Sequence, residues 1–409
     1  VAAITLFFAI SACELGAGNS AAPPPSASPS TAAPAGDCSK ASARDFDGDG
    51  QDDVAVGNRI LLGGQVSLLT AGRLVPLTIP DEAADAIGGS VALARVNADG
   101  CADLIVGAPY TKVDGKGTAG AVYVLYGGNA LPARKIVSPR PQEGARFGTS
   151  VAAYGDLIAV GAPEEDDHGA AQAGAVYVVG EGTEPIRVTQ DTEGVPGNSE
   201  QYDGFGRTIA LGPLAGGRIA LVVGAPRERQ DGSGRQRGTA GGGFDGAVTV
   251  IPDVRASELE ATKHDGRPGC AYGDAVAYLP GGRWAATAGR CGEVYVHDHA
   301  GVVDSFQCRA CVVSGTSRSA LAAAPDGRLA VAWGDSALVM SPEEGGRDLV
   351  VPTLPGGNWP VAFYGTRLVF GTPHETPPQG VTVFDPATGK NESLKSPIGD
   401  VEGIGEALG

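Results

Sequence analysis

Residues 87–126 read IGGSVALARVNADGCADLIVGAPYTKVDGKGTAGAVYVLY. Ile87-Gly88 opens an apolar run, VALARV. A polar turn, NADGCAD, leads to a second run that ends Leu104-Ile105-Val106-Gly107-Ala108-Pro109. After an irregular loop comes GAVYVLY, from Gly120 to Tyr126. Short β-branched or alternating runs punctuated by Gly, Asp and Pro are the pattern of antiparallel strands joined by turns.

The order recurs along the chain. The third copy reads Phe147-Gly148, SVAAYGD, LIAVGAP to Pro163, then GAVYVV. The fourth reads Phe205-Gly206, TIALGPLAGGR, IALVVGAP to Pro226, then GAVTVI. The fifth reads Tyr272-Gly273, AVAYLPGGR, WAATAGR, GEVYVHD. A sixth (SALAAAPDGR, LAVAWGD, ALVMS) and a seventh (VAFYGTR, LVFGTP, GVTVFD) keep the shape, and the first copy is DFDGDGQDD followed by VAVGN. The glycine of the second run falls at positions 57, 107, 161, 224, 289, 334 and 371. One four-stranded sheet cannot bury both of its faces, so the copies must stack on one another. Repeats of about 40–60 residues stacked radially make a propeller. The expected fold is all-β, a seven-bladed β-propeller of four-stranded antiparallel blades. Composition agrees. The chain has 64 Gly and 29 Pro among 409 residues, which excludes coiled coils and helical bundles. A net charge of −17 excludes a nucleic-acid partner, because such a field repels phosphate backbones.

The paired signatures, FG or IG followed by GAP, resemble the FG-GAP repeat of the integrin alpha-subunit propeller and its bacterial relatives, over about residues 42–409. The resemblance implies an extracytoplasmic recognition module with loops gathered on one face. The chain's last strand-like segment, Ile404-Gly405-Glu406-Ala407-Leu408, reads like the opening that the first copy lacks before Asp45. It is expected to supply the inner strand of the first blade and so close the ring, hiding two sheet edges.

The strongest site signal is Asp45-Phe46-Asp47-Gly48-Asp49-Gly50-Gln51-Asp52-Asp53. Carboxylates at 45, 47, 49 and 53, with glycine at 50, suit one hard cation. An EF-hand would need Glu at the twelfth position, where Val56 stands, and flanking helices. The match is instead to the calcium hairpin of FG-GAP repeats, with Asp45, Asp47, Asp49, Asp53 and the Gln51 carbonyl around Ca2+. In the second copy Arg95 replaces the first carboxylate of the loop 95–103, where its guanidinium could stand in for the ion by pairing with Asp99 or Asp103.

Seven cysteines fit an exported protein. Folding 270–291 about its Gly281 turn sets Cys270 opposite Cys291. With Cys13 set aside six remain, an even number suited to disulfides: Cys270–Cys291 by this register, Cys38–Cys101, which lie near neighbouring metal-type loops, and Cys308–Cys311, a Cys-x-x-Cys. A zinc cluster of these two cysteines with His297 and His299 is the alternative, though zinc ribbons normally carry a second spaced pair.

Residues 1–13 read as an export signal whose Ile10-Ser11-Ala12-Cys13 resembles a lipobox, which would put a lipid on Cys13 and anchor the protein to a membrane. Residues 14–41, rich in Ala, Pro and Ser, read as a tether, and 42–409 as the propeller.

Catalytic motifs such as Gly-x-Ser-x-Gly and His-Glu-x-x-His do not occur in the sequence. His297-Asp298-His299 reads as a polar rim. Two loops stand out between the GAP-type and GAVYV-type strands: Glu164, Glu165, Asp166, Asp167 and His168 in one, and Arg227, Arg229, Arg235 and Arg237 in the next. Long loops on a rigid scaffold are where recognition sits. The function expected is non-enzymatic: a surface-anchored, calcium-binding propeller that takes a protein or glycan ligand. The alternative is an extracellular hydrolase or lyase on the same scaffold, whose carboxylate pair nothing singles out.

Overall fold

In the second blade the four strands are Ser90–Ala94, Asp103–Ala108, Ala121–Leu125 and Arg134–Val137, paired antiparallel in chain order. The second strand is buried at every residue while the fourth buries one residue of four. That gradient is what blades packed face to face require: inner strands are covered by neighbours on both sides and outer edges meet water. The computed structural model describes residues 37–58, 65–79, 87–128, 131–229, 244–307, 319–333, 336–341, 346–350, 360–371, 380–395 and 404–408.

Seven such sheets form the β-propeller. The third blade runs Ser150–Tyr154, Leu157–Ala162, Ala175–Val179, Ile186–Val188. The fourth runs Thr208–Leu214, Arg218–Ala225, Ala247–Ile251, Thr262–Asp265. The fifth runs Tyr272–Leu279, Arg283–Ala288, Glu293–Asp298, Gly301–Gln307. The sixth lies within residues 319–350 and the seventh within 361–394. The first combines Val54–Asn58, Gln65–Thr70 and Arg73–Leu77 with Ile404–Leu408, which pairs antiparallel with Val54–Asn58 through Val56 opposite Leu408 and Gly57 opposite Ala407. The ring closes as the sequence predicts, and the inner strand of the first blade comes from the other end of the domain.

The repeat signature is a blade–blade contact. A Cβ on the GAP glycine would lie 2.1–2.3 Å from the carbonyl oxygen of the next blade's FG-type glycine: Gly57 on Gly88, Gly107 on Gly148, Gly161 on Gly206 and Gly224 on Gly273. Two backbones meet there with no space for a side chain. The preceding aromatic fills the space beside them. Phe147 is fully buried among Val122 and Val124 of one blade and Val160 and Tyr177 of the next, its ring edge-on to Tyr177 at 5.5 Å. Full burial of such a ring stabilises by roughly 1.5–3 kcal/mol. Phe205 does the same one blade further on, and Ile87 one blade earlier.

Both disulfides that the sequence predicts inside the described residues are formed, Cys38–Cys101 and Cys270–Cys291. The second closes the open end of the hairpin whose turn is Pro280–Gly282, with Gly281 at φ +78°. The first ties the segment before the first blade to the acidic-type loop of the second. Residues 1–36, Arg235, Arg237, Cys308 and Cys311 lie outside the described residues.

Candidate functional site

The loop Asp45–Asp53 enters the first blade and folds around its own carboxylates. Asp45 is buried and accepts from the N–H groups of Gly48 (2.6 Å to Oδ1), Asp49 (3.2 Å) and Gly50 (2.7 Å to Oδ2). Asp47 Oδ1 accepts from Asp49 N, and Asp47 Oδ2 from the Thr70 hydroxyl at 2.9 Å. Gly48 and Gly50 take φ of +74° and +89°, which lets the chain double back tightly enough for these bonds. Carboxylate oxygens of Asp45, Asp47 and Asp49 all lie within 4.8 Å of one another. Asp53 is fully buried behind them. Its Oδ2 accepts from Phe46 N at 2.8 Å, and its Oδ1 has no hydrogen-bond partner. Burial pushes the Asp53 carboxyl up to about 7, and Asp47 and Asp45 add to the rise against the pull of the Phe46 and Thr70 donors. Gln51 is exposed.

The second-blade loop shows the same frame without the cluster. Asp103, the counterpart of Asp53, is filled by backbone donors: Val96 N (3.0 Å) and Asn97 N (3.2 Å) on Oδ2, Gly127 N (3.2 Å) on Oδ1. Arg95 reaches the carbonyls of Ala41 and Ser42, the latter at 2.8 Å, and so pins the segment ahead of the first blade. Of the two partners the sequence offers Arg95, Asp99 and Asp103, the second already has its carboxylate occupied by three peptide groups. The two loops also interlock, Ala102 N donating to Asp45 O and Gly128 N to Phe46 O.

On the loop face the acidic stretch divides. Glu164 pairs with Arg146 at 2.9 Å, and Asp166 Oδ1 caps Gln172 N. Glu165 and Asp167 point inward. Glu165 is fully buried and accepts from the Tyr177 hydroxyl (2.8 and 3.0 Å) and from Arg187 Nε (2.8 Å). Asp167 Oδ1 accepts from Arg187 Nη2 at 2.9 Å, and its Oδ2 from the Ser199 hydroxyl at 2.8 Å. Burial raises the Glu165 carboxyl despite Arg187. For Asp167 burial also pushes upward, but the Arg187 and Ser199 donors outweigh it and hold that carboxyl below its usual value. The next blade repeats the device with Glu228, buried against Lys263 Nζ (2.7 Å) and Gln190 Nε2 (2.5 Å). Arg227 and Arg229, half-buried, flank it.

These buried ion pairs escaped sequence reasoning. A signal was present: an acid two residues after the GAP proline, and a base on the fourth strand directly opposite the third-strand residue (Arg187 opposite Tyr177, Lys263 opposite Thr249). The His297-Asp298-His299 rim also needs correction. His297 is buried, stacked on Trp284 at 3.9 Å with its Nε2 2.8 Å from the Tyr272 hydroxyl, while His299 is exposed in the following turn. Strand alternation would have put both on one face, but the strand ends at Asp298 and His299 lies in the turn beyond it.

The fold and its glycine–glycine blade contacts define a seven-bladed β-propeller of repeat type. Family models of the FG-GAP repeat match residues 88–125 and 133–179. These matches, with the seven-bladed fold, support an FG-GAP repeat propeller similar to that of integrin alpha chains. The chain is 31% identical over 224 residues to Integrin alpha pat-2 of Caenorhabditis elegans, a match spanning 44% of this chain and 18% of that protein. It is 34% identical over 157 residues to Integrin alpha-7 of Rattus norvegicus, spanning 35% of this chain and 13% of that one. The chain thus spans less than a fifth of the length of these curated relatives. Among solved structures, a Bacteroides fragilis protein described as a 6-phosphogluconolactonase aligns with a TM-score of 0.54 at 13% identity, covering 88% of this chain and 98% of that one, which is a likeness of fold alone.

Proposed function

We propose that this protein is an exported, calcium-binding recognition propeller, without catalytic activity, that takes a protein or glycan ligand on its loop face. The observation that carries the metal is Asp53: a fully buried carboxylate oxygen without a partner, behind three carboxylates that converge within 4.8 Å. An all-oxygen set fits a hard cation such as Ca2+, and a buried acceptor left bare costs about 1–3 kcal/mol. Asp45, Asp47, Asp49, Asp53 and the Gln51 carbonyl would hold the ion, which would cancel their mutual repulsion. The integrin-alpha similarity supports an adhesive role, and the two disulfides fit an oxidising compartment. A lipid on Cys13 and a tether over 14–41 complete the proposal as a surface lipoprotein. Among the described residues no helix is long and apolar enough to cross a membrane.

Calcium chelation tests the metal. The loop Asp45–Asp53 leads into Val54–Asn58, which is sealed by Ile404–Leu408, so an ion there stabilises a blade built from distant segments. Calcium a hundredfold above Kd would stabilise the fold by about 2.7 kcal/mol. Chelation and Asp47→Ala should each lower the melting temperature and speed hydrogen exchange over 45–58 and 404–408 together. Unchanged melting on chelation would remove calcium from the proposal. Exchange that quickens only in 45–58 would keep the ion but sever it from ring closure. A panel of glycans and extracellular proteins, run beside hydrolase assays, tests recognition, and turnover of any substrate would overturn the binding reading.

A further inference from the structure

The third-blade loop holds a second convergence of metal-type donors, separate from the first-blade carboxylates. Asp167-His168-Gly169-Ala170 is a two-residue hairpin closed by reciprocal bonds, Asp167 N to Ala170 O (3.0 Å) and Ala170 N to Asp167 O (2.7 Å). His168 and Gly169 both have positive φ, +44° and +90°, as a primed turn demands. This places the His168 ring beside its neighbour's carboxylate and beside Asp191, which follows the outer strand Ile186–Val188. His168 Nδ1 lies 3.3 Å from Asp167 Oδ2 and 3.2 Å from Asp191 Oδ2.

One ring nitrogen carries at most one proton in the ring plane, so it serves two carboxylate oxygens poorly. The separations suit something else. Four ligands about 2.0–2.1 Å from a tetrahedral ion stand roughly 3.3 Å apart, and that is the spacing of this nitrogen from each oxygen. All three atoms lie within 4.8 Å of one another. The carboxylates are also held from behind. Arg187 occupies Asp167 Oδ1, Ser199 Oγ donates to Asp167 Oδ2, and Ser199 N donates to Asp191 Oδ1 at 3.0 Å. Outer donors of this kind orient ligands in metal sites. Asp167 is buried and His168 is 72% exposed along its side chain, so the fourth position faces solvent.

We propose that His168 Nδ1, Asp167 Oδ2 and Asp191 Oδ2 bind a divalent transition ion of the zinc type, with the remaining position open to water or to an oxygen donor of a bound partner. Imidazole with two carboxylates selects such an ion over Ca2+, which prefers more and purely oxygen ligands. The site is independent of the calcium proposal.

The test is calorimetric titration of Zn2+ into the whole, disulfide-intact protein in calcium-containing buffer. The variants are His168→Asn, which tolerates positive φ, Asp191→Asn, and Asp47→Ala as a control for the other carboxylate cluster. Melting curves verify that each is folded. The wild type should take one equivalent, His168→Asn and Asp191→Asn should each bind at least tenfold more weakly, and Asp47→Ala should bind as the wild type does. Nitrogen NMR of the imidazole should place the Zn2+-induced shift on Nδ1 of His168. Two results overturn the site. One is no uptake by the wild type at millimolar Zn2+, which would leave only an imidazole–carboxylate contact. The other is uptake that His168→Asn leaves unchanged.

Discussion

Arg187→Met should be among the most destabilising single changes on the loop face. Arg187 is the cation facing two buried carboxylates, Glu165 and Asp167, whose side chains are 0% and 1% exposed, and it is itself only 18% exposed. Methionine keeps the aliphatic length but takes the guanidinium from both carboxylates, leaving the Tyr177 hydroxyl on Glu165 and the Ser199 and Thr189 hydroxyls and the His168 ring beside Asp167. Breaking a buried pair by removing one partner costs about 3–5 kcal/mol, because an uncompensated charge remains inside. Replacing both charges by neutral groups of similar size is far milder. Glu165→Gln retains an acceptor for Tyr177 and leaves Arg187 its bond to Asp167. It should cost about 1–3 kcal/mol. The double variant Glu165→Gln/Arg187→Met should therefore cost well under the sum of the two, with a coupling energy of at least about 1 kcal/mol. Urea unfolding followed by tryptophan fluorescence reads this as shifts in midpoint at constant slope. A cost below about 1 kcal/mol for Arg187→Met, or an additive cycle, would show that the pair is solvated in solution and would refute the reasoning.

Two further outcomes follow from the packing. Gly161→Ala would bring a Cβ to 2.1 Å from the Gly206 carbonyl and must push the third and fourth blades apart. It should destabilise by about 3 kcal/mol or more, whereas Gly155→Ala, in a turn with open space around it, should cost far less despite its φ of +55°. Equal losses in the two variants would contradict the interface role of the signature glycine. His297 is buried against Trp284, Tyr272 and His264, and burial, aided by His264, lowers it from 6.5 to about 4. The unfolded chain then takes up a proton that the folded one refuses, so stability falls by about 3 kcal/mol as pH drops from 6.5 to 4 and levels off below. Asp53 and Asp103, raised by burial to about 7 and about 6, act in the opposite sense, so the test is the difference between the wild-type profile and that of His297→Phe. Parallel profiles would sink the assignment.

What the sequence alone determines depends on how far apart the interacting residues sit in the chain and in the sheet. The blade count, the four strands per blade and the Cys270–Cys291 bridge are properties of single hairpins, where alternation and turn residues decide pairing locally. The closing strand 404–408 was legible because a repeat with a missing first element names the element that must replace it. Cys38–Cys101 was legible for a related reason: both lie beside loops that occupy equivalent places in adjacent repeats.

What only the tertiary structure decided is which polar groups turn inward. Glu164 to His168 read as one acidic loop, yet Glu165 and Asp167 are interior because Arg187, on the outermost strand of the same blade, arrives opposite Tyr177 by sheet register. No periodicity in residues 164–168 carries that information. The same holds for Arg95, whose carbonyl partners come from the segment ahead of the first blade, and for His297, whose stack on Trp284 exists only when the fifth blade is folded. The FG and GAP signatures are each visible in the sequence as strings. That they are two halves of one contact, Gly161 of one blade against Gly206 of the next, is set by the rotation between blades, which brings the two backbones close enough to forbid a side chain.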